Sequence, residues 1–254
     1  MFNITHRWKK LLGISCTHAK YCDEDAWSHL MAFKQWFQPE SILHLGDFID
    51  LSALMSNGAG TGSDGDEITP DIDKGLVHLR ELMDGCDDPY ILCGNHEDRA
   101  WRLTYSKNAM VAHCAHNIVN RITDTVSDLG ARLIPYTGIE QIVDIADIGF
   151  THGTIYNENC AAQMAGHYCN GVRRKIVFGH THKVAMASAK TKHGGTGYNI
   201  GTLTKRGSLE YAKNRPSTWA WTQGYLWGEY CEDLNQSVIQ ITQRQHGEVW
   251  RLPH

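Results

Sequence analysis

The chain of 254 residues has no run near the roughly 20 apolar residues that cross a bilayer. Met1 to Lys10 is polar and lacks the apolar core and small-residue cleavage site of a secretory leader. These absences predict a cytoplasmic protein with no membrane partner. None of the eight cysteines (16, 22, 86, 93, 114, 160, 169 and 231) forms a CxxC pair, which argues against a zinc ribbon or disulfide framework and for reduced thiols. Neither sign of charge dominates. With 24 Lys and Arg against 28 Asp and Glu, the net charge of -4 excludes bulk electrostatic coating of nucleic acid, though a local basic strip could guide a phosphate-bearing substrate. Repeats, low-complexity tails and domain linkers are also missing, and 42% hydrophobic residues suffice for a full core. We therefore expect one domain over residues 1–254.

What is present is an alternation of apolar runs and helical patterns. Trp8 to Ser15 reads as a strand that runs out into Cys16-Thr17-His18. In extended backbone, residues two apart share a face, so Cys16 and His18 can aim at one point. A helix from about Asp23 to Phe37 follows, its aromatic residues reading as core. Ser41 to Leu45 is a buried strand leaving into Gly46-Asp47-Phe48-Ile49-Asp50. The segment Asn57 to Asp66 is rich in Gly, Ser and Asp and reads as a flexible loop. Thr69-Pro70 opens a helix that runs to about Asp84 and buries Leu76, Val77, Leu79, Leu82 and Met83. Tyr90 to Cys93 is a strand delivering Gly94-Asn95-His96-Glu97.

From Glu97 to about Leu129 the pattern is helical, broken near Ser106 to Asn108. His113 and His116 share a helix face there, but no third ligand is near in sequence, so they read as structural. Strands dominate afterwards: Arg132 to Ile134, Ile139 to Ile145, and Ile148 to Thr151 ending at His152-Gly153. A helix from about Asn159 to Asn170 precedes the strand Lys175 to Phe178, which leaves into Gly179-His180-Thr181-His182. Val184 to Lys190, Tyr198 to Ile200, Trp219 to Trp227 and Ser237 to Gln243 are strand-like. Trp219, Trp221, Tyr225 and Trp227 alternate, which predicts one packed sheet face rather than a nucleic-acid stacking platform. The second half is expected to close a second sheet over the first.

Strand ends thus supply Cys16, His18, Asp47, Asp50, Asn95, His96, His152, His180 and His182. Imidazole, carboxylate and amide oxygen suit Zn, Mn, Fe or Ni, and the groups are too many for one ion. Two ions ~4 Å apart, bridged by a carboxylate, activate a water and neutralise a phosphoryl group under in-line attack. Asp47 is the candidate bridge. In order, Cys16-Thr17-His18, Gly46-Asp47-Phe48-Ile49-Asp50, Gly94-Asn95-His96-Glu97, Thr151-His152-Gly153 and Gly179-His180-Thr181-His182 resemble the motif series of the calcineurin-like metallophosphoesterases, over about Leu11 to Gly201.

The resemblance implies two facing mixed β-sheets flanked by helices, a four-layer αββα sandwich. It implies His18, Asp47 and His182 on one metal, with Cys16 at the position of a further ligand to it, and Asp47, Asn95, His152 and His180 on the other. His96 is implied as the proton donor, oriented by Asp50, and Arg99 as a phosphate contact or a solvated surface residue. The family has aspartate where this chain has Cys16. A thiolate keeps the charge and is a softer ligand. Two accounts stay open: a true ligand of a binuclear site, or a small buried thiol beside a weak first site. The expected function is hydrolysis of a phosphodiester or phosphomonoester by a hydroxide activated at a binuclear metal centre. Leu51-Ser52 stands where protein phosphatases of the family carry Arg-Gly, which disfavours that class. The alternatives are a catalytically silent metal- or phosphate-binding relative and a DNA-repair type nuclease. For the latter, Arg173-Arg174-Lys175 and Lys205-Arg206 are the available cations, otherwise solvated strand flanks.

Overall fold

The computed structural model describes residues 6–55, 67–209, 212, 215–245 and 247–251. The loop expected at Asn57 to Asp66 lies outside the described residues. The first strand, β1 (Lys9–Ile14), is buried on both faces from Leu11 on, and this sets the architecture. Leu12 and Ile14 point to one side, where they pack with Trp27, Leu30 and Phe33 of helix α1 (Glu24–Phe37), and Leu11 points to the other. Asp23 caps α1 by accepting from Asp25 N and Ala26 N, both at 3.1 Å, so two of the helix's four orphan amides are met.

Strands β2 (Ser41–His44), β3 (Asp88–Leu92) and β4 (Arg132–Ile134) continue parallel from β1, with Leu12 opposite Ile42 and Leu43 opposite Tyr90. The crossovers are α1, then α2 (Ile68–Met83), then α3 (Asn95–Leu103) with α4 (Ala109–Asp128). The second sheet is built from β5 (Val143–Ile145), β6 (Ile148–Phe150), β7 (Lys175–Phe178), β8 (Val184–Ser188) and β9 (Thr196–Ile200) in the order β5-β6-β7-β9-β8. Helix α5 (Cys160–Tyr168) covers its outer face through Met164, Ile176 and Phe178. Between the sheets, Leu11, Leu43 and Leu92 meet Ile148, Phe150 and Val177. The layers are therefore helices, sheet, sheet, helix, two mixed sheets as expected.

Several expectations change. The last strands, β10 (Gln223–Cys231) and β11 (Gln236–Arg244), do not extend the second sheet. They return to the first, β10 running antiparallel to β1 with Leu12 opposite Trp227. The segment Pro216–Ala220 is a 3-10 turn, so only Tyr225 and Trp227 of the aromatic alternation lie in a strand. Trp227 packs on Phe33 and Phe37, whereas Trp219 is 74% exposed. Gly138–Glu140 is likewise a 3-10 turn, which leaves Ile139 outside the strand and exposed. Val77 falls on the open side of α2, while Asp71 and His78 take places on its buried side.

Candidate metal centre

Every motif read from the sequence lies at the carboxyl end of a strand, and the parallel order brings those ends together. The backbone there is not extended. Cys16, His18, Asp47, His180 and His182 all have positive φ, between 48° and 66°, a region L-residues seldom occupy and one concentrated at functional sites. Cys16 and His18 therefore converge through successive left-handed turns rather than by strand alternation. Ties between motifs hold the turns: Cys16 N donates to Gly46 O at 3.0 Å and His18 N to Asp47 O at 2.9 Å. Glu97 then locks the second motif to the third, its carboxylate accepting from Asp47 N, Ile49 N and Gly94 N at 2.9, 2.9 and 2.7 Å. Gly46, at φ +100°, is required by this closeness, since a Cβ there would stand 2.6 Å from Gly94 N.

Two ligand clusters result. Cys16, His18, Asp47 and His182 offer donor atoms all within 4.8 Å of one another, and so do Asp47, His152 and His180. Asn95 joins the second, its Oδ1 3.1 Å from His152 Nε2. Asn95 occupies the first turn of α3 rather than the cap, so its amide is free for this contact. The proton positions are forced by the outer partners. Neutral His18 donates from Nδ1 to Asp50 at 2.9 Å, which leaves Nε2 as a lone pair 3.1 Å from His182 Nε2. His152 donates from Nδ1 to Leu45 O at 2.7 Å, which turns Nε2 towards Asp47 Oδ2 at 3.3 Å and His180 Nδ1 at 3.0 Å. Ring nitrogens and oxygens thus converge within hydrogen-bond distance of one another in both clusters. Among the described residues, Asp50 Oδ2, His180 Nε2 and His182 Nδ1 are buried with no hydrogen-bond partner.

The electrostatics agree with a place made for cations. Burial, then the charge of His96, pushes His18 down; burial, then His18, pushes His182 well down; burial, then His152, takes His180 to about 3. All three are neutral donors at pH 7. Burial opposes ionisation of Asp47, but His152 and His96 outweigh it and hold the carboxyl well below its usual range. Burial and then Asp47 push the Cys16 thiol well up, so its proton is surrendered only to a compensating positive charge. Its Sγ already accepts from His180 N at 3.3 Å. Nitrogen, oxygen and sulfur donors of this kind fit divalent transition ions.

Beside the clusters, His96 Nδ1 lies 2.5 Å from the Asp50 carbonyl and 3.3 Å from its carboxylate. Burial lowers its basicity, but Asp47 and Asp50 prevail and raise it above the ordinary histidine value. His96 lines an open cleft of about 810 Å³ together with Asn95, Arg99, His180 and His182. Arg99 is part-buried and donates to the carbonyls of Asp50 and Leu51 at 2.9 and 3.2 Å, so its charge faces the cleft without a carboxylate on those bonds.

No family model matches the chain, and no curated protein does. Solved structures do. One aligns over 93% of this chain and 99% of its own with a TM-score of 0.52 at 10% identity. A phosphatase from Mycoplasma pneumoniae aligns over 94% of each chain with a TM-score of 0.47 at 11% identity. Vacuolar protein sorting 29 from Cryptosporidium parvum aligns over 94% of this chain and 98% of its own, with a TM-score of 0.43 at 13% identity. The first of these shares this chain's fold, two facing mixed sheets with helices outside.

On this two-sheet fold, every residue expected at the site from Cys16 to His182 is gathered within the two clusters or directly beside them. His113 and His116 lie apart, exposed on α4. Among the described residues, no helix is long and apolar enough to cross a membrane. Some neighbours of the site escaped the sequence reading. Asp71, 2% exposed, accepts from Leu51 N at 2.7 Å and Asp50 N at 3.4 Å. Its signal was a carboxylate on the apolar stripe of α2. Tyr156, whose ring centroid is 4.2 Å from that of His180, and Trp221, 4.4 Å from His182, carry no motif.

Proposed function

We propose that the protein is a metal-dependent phosphoesterase that hydrolyses a phosphodiester, and that Cys16, His18, Asp47 and His182 hold one divalent ion and Asp47, Asn95, His152 and His180 a second. The observation that carries this reading is the sharing of Asp47 between two buried donor clusters that open on one cleft beside His96. When bound, such ions supply Lewis-acid activation of a water and neutralisation of phosphoryl charge. The rest falls to the chain.

In the hydrolysis, the bond from phosphorus to the leaving oxygen breaks and a bond to the water oxygen forms. One water proton is given up and the leaving oxygen gains one. His96 is placed to donate that proton: its Nδ1 is turned to Asp50 and its other nitrogen lies on the cleft side, towards Asp47. Asp50, which also receives His18 Nδ1–H, fixes the tautomers of both rings. Arg99 is positioned to meet the negative phosphoryl oxygens.

The test is elemental analysis of metal per chain alongside hydrolysis of a chromogenic phosphodiester, for the wild type and Cys16→Ser. Two ions in the wild type, falling towards one with lost turnover in the variant, support the binuclear hydrolase. No hydrolysis with any divalent ion would leave a silent binding protein on this fold, the reading that the raised Cys16 thiol favours.

A further inference from the structure

The cleft is much larger than a phosphoryl group requires. Its volume of about 810 Å³ lies in the upper part of the roughly 300–1,000 Å³ that encloses a whole small ligand. Its walls carry two aromatic rings, one against each histidine of the Gly179–His182 turn: Tyr156, 72% exposed, on His180, and Trp221 on His182. Three cations join them. Arg99 and Lys183 are held by backbone carbonyls, Lys183 Nζ by Asn157 O at 3.1 Å, and Arg215 is exposed. Hydrogen bonds of this kind fix the ammonium and guanidinium groups without neutralising them.

Trp221 is also a wall of a second cavity, of about 360 Å³, whose other residues include Lys205, Arg206 and Arg244. Arg244 is committed to Asp23 and Asp25 and lies over the Trp250 ring. Lys205 and Arg206 are exposed at the turn before the 3-10 segment. Asp23 and Glu248 line this cavity as well, so it is a cationic edge rather than a uniformly basic pit. The indole separates the two cationic places. It does so because the chain at Pro216–Ala220 leaves the sheet before β10 begins, which frees Trp221 from the packed face that Tyr225 and Trp227 occupy.

A flat ring between two sets of cations matches a ligand in which flat bases alternate with phosphates. Backbone-tracking cations and base stacking are how single strands are held without sequence readout. A small monoester would use neither Trp221 nor the Lys205–Arg206 edge. We propose that the substrate of this site is a single-stranded oligonucleotide, with one phosphate at the metal clusters, a neighbouring base on Trp221 and the next phosphate at Lys205 and Arg206. This rests on the phosphoesterase reading above. Cleavage of the strand obeys the same balance: water adds to phosphorus, the ester bond to the sugar oxygen breaks, and that oxygen leaves as the hydroxyl of the second fragment.

The experiment measures fluorescence anisotropy of a short fluorescein-labelled phosphorothioate oligothymidylate titrated with the metal-loaded protein at several salt concentrations. Trp221→Ala should weaken binding about tenfold, with Trp221→Phe recovering most of it, as expected for one lost base stack. The double variant Lys205→Gln, Arg206→Gln lies on the surface and keeps the core intact. It should flatten the slope of log affinity against log salt by about 1.4, two phosphate contacts at roughly 0.7 each. Lys192→Gln, at the far β8–β9 turn, serves as the control with the wild-type slope.

Unchanged affinity and slope in both Trp221→Ala and the double variant, with the chromogenic diester still hydrolysed, would overturn the strand track and leave the phosphoesterase. The predicted losses in a protein that hydrolyses no diester would support the track and sink the catalytic reading. A nucleoside triphosphate that competes as well as the oligomer would overturn the proposal in favour of a small polyphosphate ligand.

Discussion

At the scale of the residue, the unusual choice is Cys16. Its sulfur is pinned by His180 N–H and lies 3.0 Å from Ser15 Oγ, so it is oriented before any ion arrives. A thiolate bound to Co(II) gives a near-ultraviolet charge-transfer band that oxygen ligands lack. Cobalt-loaded wild type should therefore show this absorption and Cys16→Asp should not, although the aspartate variant keeps the charge and is expected to retain its metal. Absence of the band in fully loaded wild-type protein would make Cys16 a bystander. The other ligands were legible because each follows an apolar run that had to be a strand, and a strand end delivers its next residues to a common edge. The left-handed backbone of Cys16 and His18 was not. It is set by bonds such as Cys16 N to Gly46 O, between segments remote in sequence.

At the scale of the element, the connection after β2 is where site and scaffold meet. The peptides of Asp50 and Leu51 receive Asp71 on their N–H groups, and their carbonyls receive His96 and Arg99. Leu51 holds φ +48°, a conformation that needs this support. Asp71→Ala should cost about 1–3 kcal/mol of stability through the orphaned amides. It should also let His96 drift, and a misplaced donor costs up to about a hundredfold. The loss should fall mainly on diesters with poor, alkyl leaving groups, because nitrophenolate departs without protonation. Equal losses for both kinds of ester would reduce Asp71 to a structural role. Leaving-group series for wild type, Asp71→Ala and Asp71→Asn make the comparison. For elements as a whole, hydrophobic period placed the helices within a residue or two. It could not say which sheet β10 and β11 join, since alternation along a strand fixes its faces and not its neighbour. That choice lies in the pairing with β1.

At the scale of the whole molecule, the two sheets are clipped together at the end marked by the turn between β5 and β6. Asp147, fully buried in that turn, accepts from Lys175 Nζ at 2.6 Å and Arg174 Nε at 3.0 Å within the second sheet's strand entry, and from Ser237 Oγ at 2.5 Å on β11 of the first sheet. Arg174, Lys175 and Arg173, read from sequence as solvated flanks or phosphate contacts, are ion-paired here, Arg173 with Asp144. Burial opposes the charge on Asp147, but the hydrogen bonds from Lys175 and Ser237 prevail and hold its carboxyl below the usual value. A group depressed in the folded state adds stability above its unfolded pKa, about 3.9. That contribution is lost as pH falls through the folded value.

Loss of one partner from a buried pair costs about 3–5 kcal/mol, and less when, as here, the cations keep contact with water. For Asp147→Ala we expect about 2 kcal/mol at pH 7, a fall of roughly 4–8 °C in melting temperature for a chain of this size. The gap between the two proteins should close as pH is lowered below about 4, because the wild type then loses the charge that the variant lacks. Melting curves of both proteins across that range, in metal-free buffer, decide it. A gap that stays constant to low pH would mean that Asp147 acts through packing alone and that the sheets are joined by their shared apolar layer.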